Sequence, residues 1–96
     1  MAATSQFTVN AAGWTAVTTV SACKIVRISP DRSTAGWPGS DYLIAKPTSS
    51  ATPVRIPGGV DYIFQSGPSF FFPNTIVGYV QMVTGSMTFD QDEDTP

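Results

Sequence analysis

The segment that decides the fold runs from residue 53 to residue 67 and has the sequence Pro53-Val-Arg-Ile-Pro-Gly-Gly-Val-Asp-Tyr-Ile-Phe-Gln-Ser-Gly67. Its Pro57-Gly58-Gly59 step predicts a turn, because proline fixes φ at about −65° at the first central position and glycine accepts a positive φ at the second. The residues after the turn alternate in direction along an extended chain, with Val60, Tyr62 and Phe64 on one face and Asp61, Ile63 and Gln65 on the other. The segment therefore predicts a hairpin-like corner that leads into a half-buried strand.

The remainder of the 96 residues is divided by glycine and proline, eight of each, and only 12% of the chain is charged. Further strands are predicted at 5–9, 14–20, 22–29, 41–45, 75–84 and 86–89, and Gly78 indicates a bulge or a close backbone approach. A helix over 15–25 stays open as an alternative, although the many Val, Ile and Thr residues there favour strands. The pattern predicts an all-β protein, a single small β-sandwich or jelly roll of about eight short strands.

Charge is distributed unevenly, since four of the seven acidic residues lie within 90–94. We therefore expect a sandwich domain over 1–89 followed by a flexible acidic tail over 90–96 that is dispensable for folding. The five basic residues of the domain are scattered among three acidic ones, which is not the clustered positive charge that nucleic acid requires.

Catalytic chemistry is not indicated, because the chain has no histidine to act as a general base or metal ligand. The glycines form no phosphate-binding motif, and the acidic run from Asp90 lacks the central glycine and distal glutamate of a calcium loop. We expect no enzyme activity, no cofactor and no metal. Cys23 is the single cysteine and is expected to be a buried, inert thiol. Neither a secretory signal nor an apolar run long enough for a membrane helix is visible.

Three consecutive phenylalanines, Phe70, Phe71 and Phe72, are the strongest candidates for an interface. In an extended chain Phe70 and Phe72 point one way and Phe71 the other, so Phe71 is expected to anchor an intermolecular contact while the other two enter the core. The alternative is that two of the rings fill the end of the sandwich and the third lies against a loop. Trp37 lies in the long loop at 29–40, either as a lid over the core or as an exposed contact residue.

Five motifs follow one another in an order that resembles a known family: Phe7-Thr-Val-Asn10, Cys23-Lys-Ile-Val-Arg-Ile28, Asp41-Tyr-Leu-Ile44, Val60-Asp-Tyr-Ile-Phe64 and Gly78-Tyr-Val-Gln81. The order is similar to that of the small β-sandwich structural proteins of tailed bacteriophages, which are decoration (cement) proteins or small head and tail components. The resemblance implies a non-enzymatic virion protein, homo-oligomeric, bound to the capsid protein lattice and assembled in the host cytoplasm.

Two other functions stay open. One is a tail-associated module that binds the host or a carbohydrate, in which Trp14, Trp37 and Tyr42 would stack on sugar rings. The other is a cytosolic protein–protein adaptor with an unrelated sandwich fold.

Overall fold

The structure, a computed structural model, describes residues 3–20, 22–31, 41–48, 50–66, 72–73 and 75–94. Every regular element in these ranges is a β-strand, so the helix considered for 15–25 is wrong and the strands predicted on either side of residue 21 are confirmed. The ten strands are β1 (Ala3–Asn10), β2 (Thr15–Thr18), β3 (Ala22–Cys23), β4 (Ile25–Pro30), β5 (Tyr42–Ala45), β6 (Val54–Ile56), β7 (Tyr62–Gln65), β8 (Phe72–Pro73), β9 (Ile76–Met82) and β10 (Ser86–Asp94).

The strands form two four-stranded antiparallel sheets and one short pair. The front sheet has the order β1-β10-β4-β7, the back sheet has the order β2-β9-β5-β6, and β3 pairs with β8. The pairs are nested: β1 with β10, β2 with β9, β3 with β8, β4 with β7 and β5 with β6. A single antiparallel ribbon is thus wound around the core, and this winding makes the sandwich a jelly roll. The predicted fold class is confirmed.

The core lies between the sheets because alternate residues of each strand point inward. On β10, for example, Met87 and Phe89 are buried while Ser86 is exposed and Thr88 is half-buried. The core cluster of buried apolar side chains consists of Val9, Val17, Cys23, Val26, Ile28, Tyr42, Ile44, Phe64, Val77, Val80, Met82, Met87 and Phe89. The thiol of Cys23 is buried, as its apolar surroundings predicted.

The corner at 57–60 differs in two ways from the prediction. Val60 N donates to Pro57 O at 3.4 Å, and Gly59 carries the positive φ of 84°, so the turn lies one residue further along and its central residues are Gly58 and Gly59. The strands on either side of it belong to different sheets, so the corner is a crossover and not a hairpin. Tandem glycines allow either placement of the turn, and the hydrogen bond selects one.

The acidic segment is not a flexible tail over the residues that the structure describes. Strand β10 continues to Asp94 and lies between β1 and β4, with Gln91 paired to Ile28 and Glu93 paired to Val26. The inward positions of the strand continue from Phe89 through Gln91 and Glu93, which are both buried. The domain boundary placed at residue 89 is therefore wrong. The prediction failed because it weighed the charge of the segment above its period-2 continuation of the strand.

The irregularity expected at Gly78 is present. The register between β2 and β9 shifts at this point, since Val17 pairs with Gly78 and Thr18 pairs with Ile76, which leaves Val77 as the extra residue. Such a bulge lets Val77 turn inward next to Gly78 without disturbing the strand on either side.

Candidate interaction surfaces

The outer face of the front sheet carries polar and charged side chains that form hydrogen bonds and an ion pair with one another. The side-chain amide of Gln6 on β1 donates to Asp90 Oδ1 at 2.7 Å and to Asp31 Oδ2 at 3.4 Å. Arg27 Nη2 on β4 lies 3.3 Å from Asp92 Oδ2 on β10. This is the pattern of a solvated face, where exposed ion pairs contribute little to stability.

The outer face of the back sheet is less charged. Ala16 pairs with Tyr79 on the neighbouring strand, and Leu43 pairs with Gln81. All four side chains are half-buried, and Gln81 Nε2 donates to Ala11 O at 2.9 Å, which ties the face to the loop after β1. The two outer faces therefore differ in composition: charged side chains run along the middle of the front face, whereas the middle of the back face carries aromatic, aliphatic and amide groups.

Arg55, on β6, lies opposite Leu43 at the rim of the back face, and a carboxylate at the corner holds its guanidinium. Arg55 Nε donates to Asp41 Oδ2 at 2.6 Å, and Gly58 N donates to Asp41 Oδ1 at 3.1 Å. The hydrogen bond from Arg55, followed by that from Gly58, lowers the pKa of Asp41 below its usual value. Asp41 thus keeps its charge into acidic solution and fixes the start of the crossover between the sheets.

A buried polar network closes one end of the sandwich. Glu93 Oε2 accepts hydrogen bonds from Val20 N at 2.7 Å and from Gln91 Nε2 at 2.8 Å. Gln91 Nε2 also donates to Thr18 O at 2.9 Å, so both buried side chains of β10 hold the segment that follows β2. These hydrogen bonds fix the backbone at Thr18 and Val20. Because Gln91 and Glu93 are buried, we assign the network a structural role.

The opposite side of the sandwich, where β6 and β7 form the edges of the two sheets, exposes apolar side chains. Val54 is 57% exposed, Val60 46% and Ile63 50%. The hydroxyl of Tyr42 donates to Val60 O at 2.6 Å and holds the crossover against the core. Burial raises the pKa of Tyr42 well above its usual value, and the nearby Asp61 and Tyr62 add to this effect. We call the exposed apolar group of Val54, Val60 and Ile63 the open edge.

The predicted interface residues are only partly tested by this arrangement. Phe70, Phe71 and Trp37 lie outside the described residues, so their roles stay predictions. Phe72 is half-buried on β8, where it pairs with Cys23 and packs against the core. Tyr42 is 1% exposed, so its assignment as a sugar-stacking residue is wrong.

Sequence analysis missed the open edge and the buried network. Ile63 was placed on the outward face of its strand, and an aliphatic residue between two polar outward neighbours was a visible sign of an unusual surface. For Gln91 and Glu93 the sign was weaker, because only their parity with Met87 and Phe89 marked them as inward.

Within the described residues no three metal-binding side chains cluster together, and no helix there is long and apolar enough to cross a membrane. Comparison of the chain with protein-family models, with curated proteins and with solved structures finds no significant match.

Proposed function

We propose that this protein is a non-enzymatic structural component of a bacteriophage virion, a decoration protein that bridges subunits of the capsid lattice. The observation that carries the proposal is the jelly-roll winding, an architecture that viral capsid domains and lectins use. The motif order that resembles phage virion proteins favours the first of these two uses.

The way in which the fold is stabilised supports this role. The chain has one cysteine, which is buried, and therefore no internal disulfide, so stability comes from the packed core and from the network around Glu93. A protein that folds in a reducing cytosol and then remains on a particle outside the cell requires stability that does not depend on disulfides.

The back face is the surface that we assign to the lattice. Leu43, Tyr79 and Ala16 lie there, and interface centres are depleted of charge and enriched in aromatic residues. Each copy needs only a weak contact, because bridging two lattice subunits makes the second contact intramolecular and raises the overall affinity. Phe71 is a second candidate anchor for this contact, predicted from the sequence alone.

The copy number of the protein in purified particles of the phage that encodes it tests the proposal. Quantitative mass spectrometry should find hundreds of copies in each particle. A handful of copies would support a tail-associated module, and a glycan array would then test the carbohydrate-binding alternative. Absence from the particle would overturn the proposal.

A reconstitution experiment tests the assigned face. Purified protein is added to particles that lack it, and bound protein is measured after sedimentation. Leu43→Lys, in the centre of the back face, should reduce binding at least about tenfold, the equivalent of roughly 1.4 kcal/mol. Thr8→Lys introduces the same charge on the exposed front face and should bind like the unaltered chain. Equal binding of the two variants would exclude the back face.

A further inference from the structure

Glu93 is the one carboxyl group that is buried among the side chains that the structure describes, and it is 1% exposed. It lies near the end of β10, opposite Ala3 of β1 and Val26 of β4. A buried carboxyl group is costly to ionise unless hydrogen bonds or opposite charges compensate it, so its contacts determine which form the fold accepts.

The contacts of Glu93 are those of an ionised carboxylate. Val20 N donates to Oε2 at 2.7 Å, and Gln91 Nε2 donates to the same atom at 2.8 Å. Both distances are shorter than the ~2.9–3.0 Å that is usual for a neutral N–H···O bond, and they lie in the range of charge-assisted bonds. A protonated carboxyl group would accept the same two bonds more weakly, because the negative charge that strengthens them is lost.

A basic residue at the same end of the sandwich favours the ionised form as well. Lys24 extends the ladder of β4 and β7, since Ser66 N donates to its carbonyl oxygen at 3.0 Å. Alternation gives Lys24 the parity of Val26, which is buried on the inner face and lies opposite Glu93. Lys24 is therefore the charged residue that this ladder adds to the inner side of the sheet near Glu93.

The other elements near Glu93 add no charged group to the inner face. The described residues at 3–5 on β1 and at 18–20 after β2 are uncharged, and so are the residues of β3 and β8. Arg27 and Asp92 lie on the outer face, where Nη2 and Oδ2 are 3.3 Å apart. Protonation of Glu93 is thus the change in charge that directly affects the buried hydrogen bonds at this end.

The two halves of β10 are attached in different ways. In the first half, Phe89 stacks on Phe7 with the ring centroids 5.8 Å apart and packs edge-on against Tyr42 at 5.1 Å. In the second half, the buried side chains are the polar ones of Gln91 and Glu93, and exposed outer contacts contribute little to stability. Beyond its backbone pairing, the second half therefore depends on the buried hydrogen bonds, whereas the first half is held by apolar packing.

We propose that the end of β10 is an acid-sensitive clasp, formed by residues 91–94 and by the segment 3–5 that pairs with them. When Glu93 takes up a proton from the solvent, residues 91–94 separate from β1 and β4 while the remainder of the sandwich stays folded. The closed clasp holds the ionised carboxylate, and the open clasp leaves the carboxyl group in water. The open state therefore binds the proton more readily, and acid shifts the equilibrium towards it.

Opening of the clasp has a different effect on the two neighbours of β10. In the part of the chain that the structure describes, β1 pairs only with β10, so residues 3–5 are released together with residues 91–94. Strand β4 keeps its pairing with β7. Acid thus uncovers the side of β4 that faces β10, which is a backbone edge inside the closed sheet. The inference concerns the isolated chain and does not depend on binding to a particle.

Hydrogen exchange of individual backbone amides, measured by NMR and divided by the intrinsic rate at each pH, tests the clasp. Between about pH 7 and about pH 3, where carboxyl groups take up protons, the protection of the clasp amides should fall at least about tenfold. The amides of β9, in the back sheet, should keep their protection over the same range. Unchanged protection of the clasp, or loss of protection in the clasp and in β9 at the same pH, would overturn the proposal.

Two variants separate Glu93 from the other carboxyl groups. Glu93→Gln keeps the size and an acceptor oxygen of the side chain but carries no charge, so it represents the protonated form. Its clasp should have lost protection at least about tenfold already at about pH 7, with little further change in acid. Asp92→Asn removes a carboxylate from the outer face of the same strand and is the matched control, so its clasp should open with acid like that of the unaltered chain.

Full protection of the clasp in Glu93→Gln at about pH 7, or equal loss of protection in the two variants, would also overturn the proposal. If Glu93→Gln fails to fold, the pH series on the unaltered chain and on Asp92→Asn decides between local opening and global unfolding.

Discussion

Gly78 on the back sheet lies directly against the ring of Phe64 on the front sheet. A Cβ placed on Gly78 would be 2.6 Å from Phe64 Cε1 and 3.2 Å from Lys46 Cβ. The same ring has two further neighbours: Tyr62 packs edge-on with a centroid distance of 4.9 Å, and Lys46 Nζ lies 5.2 Å from the ring centroid. The two sheets can approach this closely here because Gly78 has no side chain.

Gly78→Ala should destabilise the protein by about 1–3 kcal/mol, because overpacking forces a buried ring or a strand to move. The free energy of unfolding in urea measures the effect. Gly13→Ala is the matched control, since no heavy atom lies within 4 Å of its added Cβ, and it should change stability by less than about 0.5 kcal/mol. Equal effects at the two positions would show that the contact with Phe64 does not limit the packing.

Glu93→Ala should cost about 2–4 kcal/mol, because it leaves Val20 N without its acceptor and removes one of the two acceptors of Gln91 Nε2, which keeps only Thr18 O. The neighbouring Asp92→Ala removes a carboxylate of the same strand from the exposed face, where it pairs with Arg27, and should cost at most about 1 kcal/mol. Thermal unfolding of both variants measures the difference. If the two variants lost similar amounts of stability, the buried hydrogen bonds of Glu93 would contribute no more to holding β10 than the exposed ion pair of Asp92.

Asp41 should make the stability of the protein depend on pH in acidic solution. Its pKa is lowered in the folded state, so its contribution is complete above the usual value of 3.8 and is lost as the pH falls below that value. Asp41→Asn should therefore melt at a lower temperature than the unaltered chain at neutral pH, with the gap closing below pH 3.8. In an Arg55→Gln background the gap should be smaller at every pH. A gap that does not change with pH would contradict this assignment.

The phenylalanine run allows folding and assembly to be separated. Phe72→Ala removes a half-buried ring from the core and should destabilise the protein by roughly 1–3 kcal/mol. Phe71→Ala should leave folding nearly unchanged and weaken oligomerisation or particle binding by about 1–3 kcal/mol. Circular dichroism melts and particle sedimentation, run on both variants, measure the two effects. Loss of folding in Phe71→Ala, or unchanged assembly, would place that ring in the core instead.

Much of the fold could be predicted from local chemistry. The alternation of apolar and polar residues predicted β7 and the first half of β10. The β-branched residues before Ile28 favoured strands over a helix. Gly78, a glycine inside a strand, indicated the bulge. The sequence could not place the strands in their sheets, because pairings such as that of Gln6 with Asp90 join distant segments. Net charge was misleading for residues 90–94, since a carboxylate such as that of Glu93 can be buried when hydrogen-bond donors surround it.

The open edge could not be predicted for a related reason. Outward orientation of Ile63 followed from the pattern, but its place at the rim of a sheet is a property of the winding. The same holds for the back face, where Leu43 lies beside Gln81 only because β5 and β9 are neighbours.

The position of β10 between β1 and β4 also determines when the chain can fold. Until residues 86–94 have left the ribosome, β1 has no neighbour in the front sheet and β4 has only β7. The inward side chains of β1, such as Val9, remain uncovered during that time. Pairings between distant segments form slowly, and partly folded chains with uncovered strands aggregate readily. The front sheet is therefore expected to complete its fold only once β10 has been made, in a late step in which this strand enters the middle of the sheet.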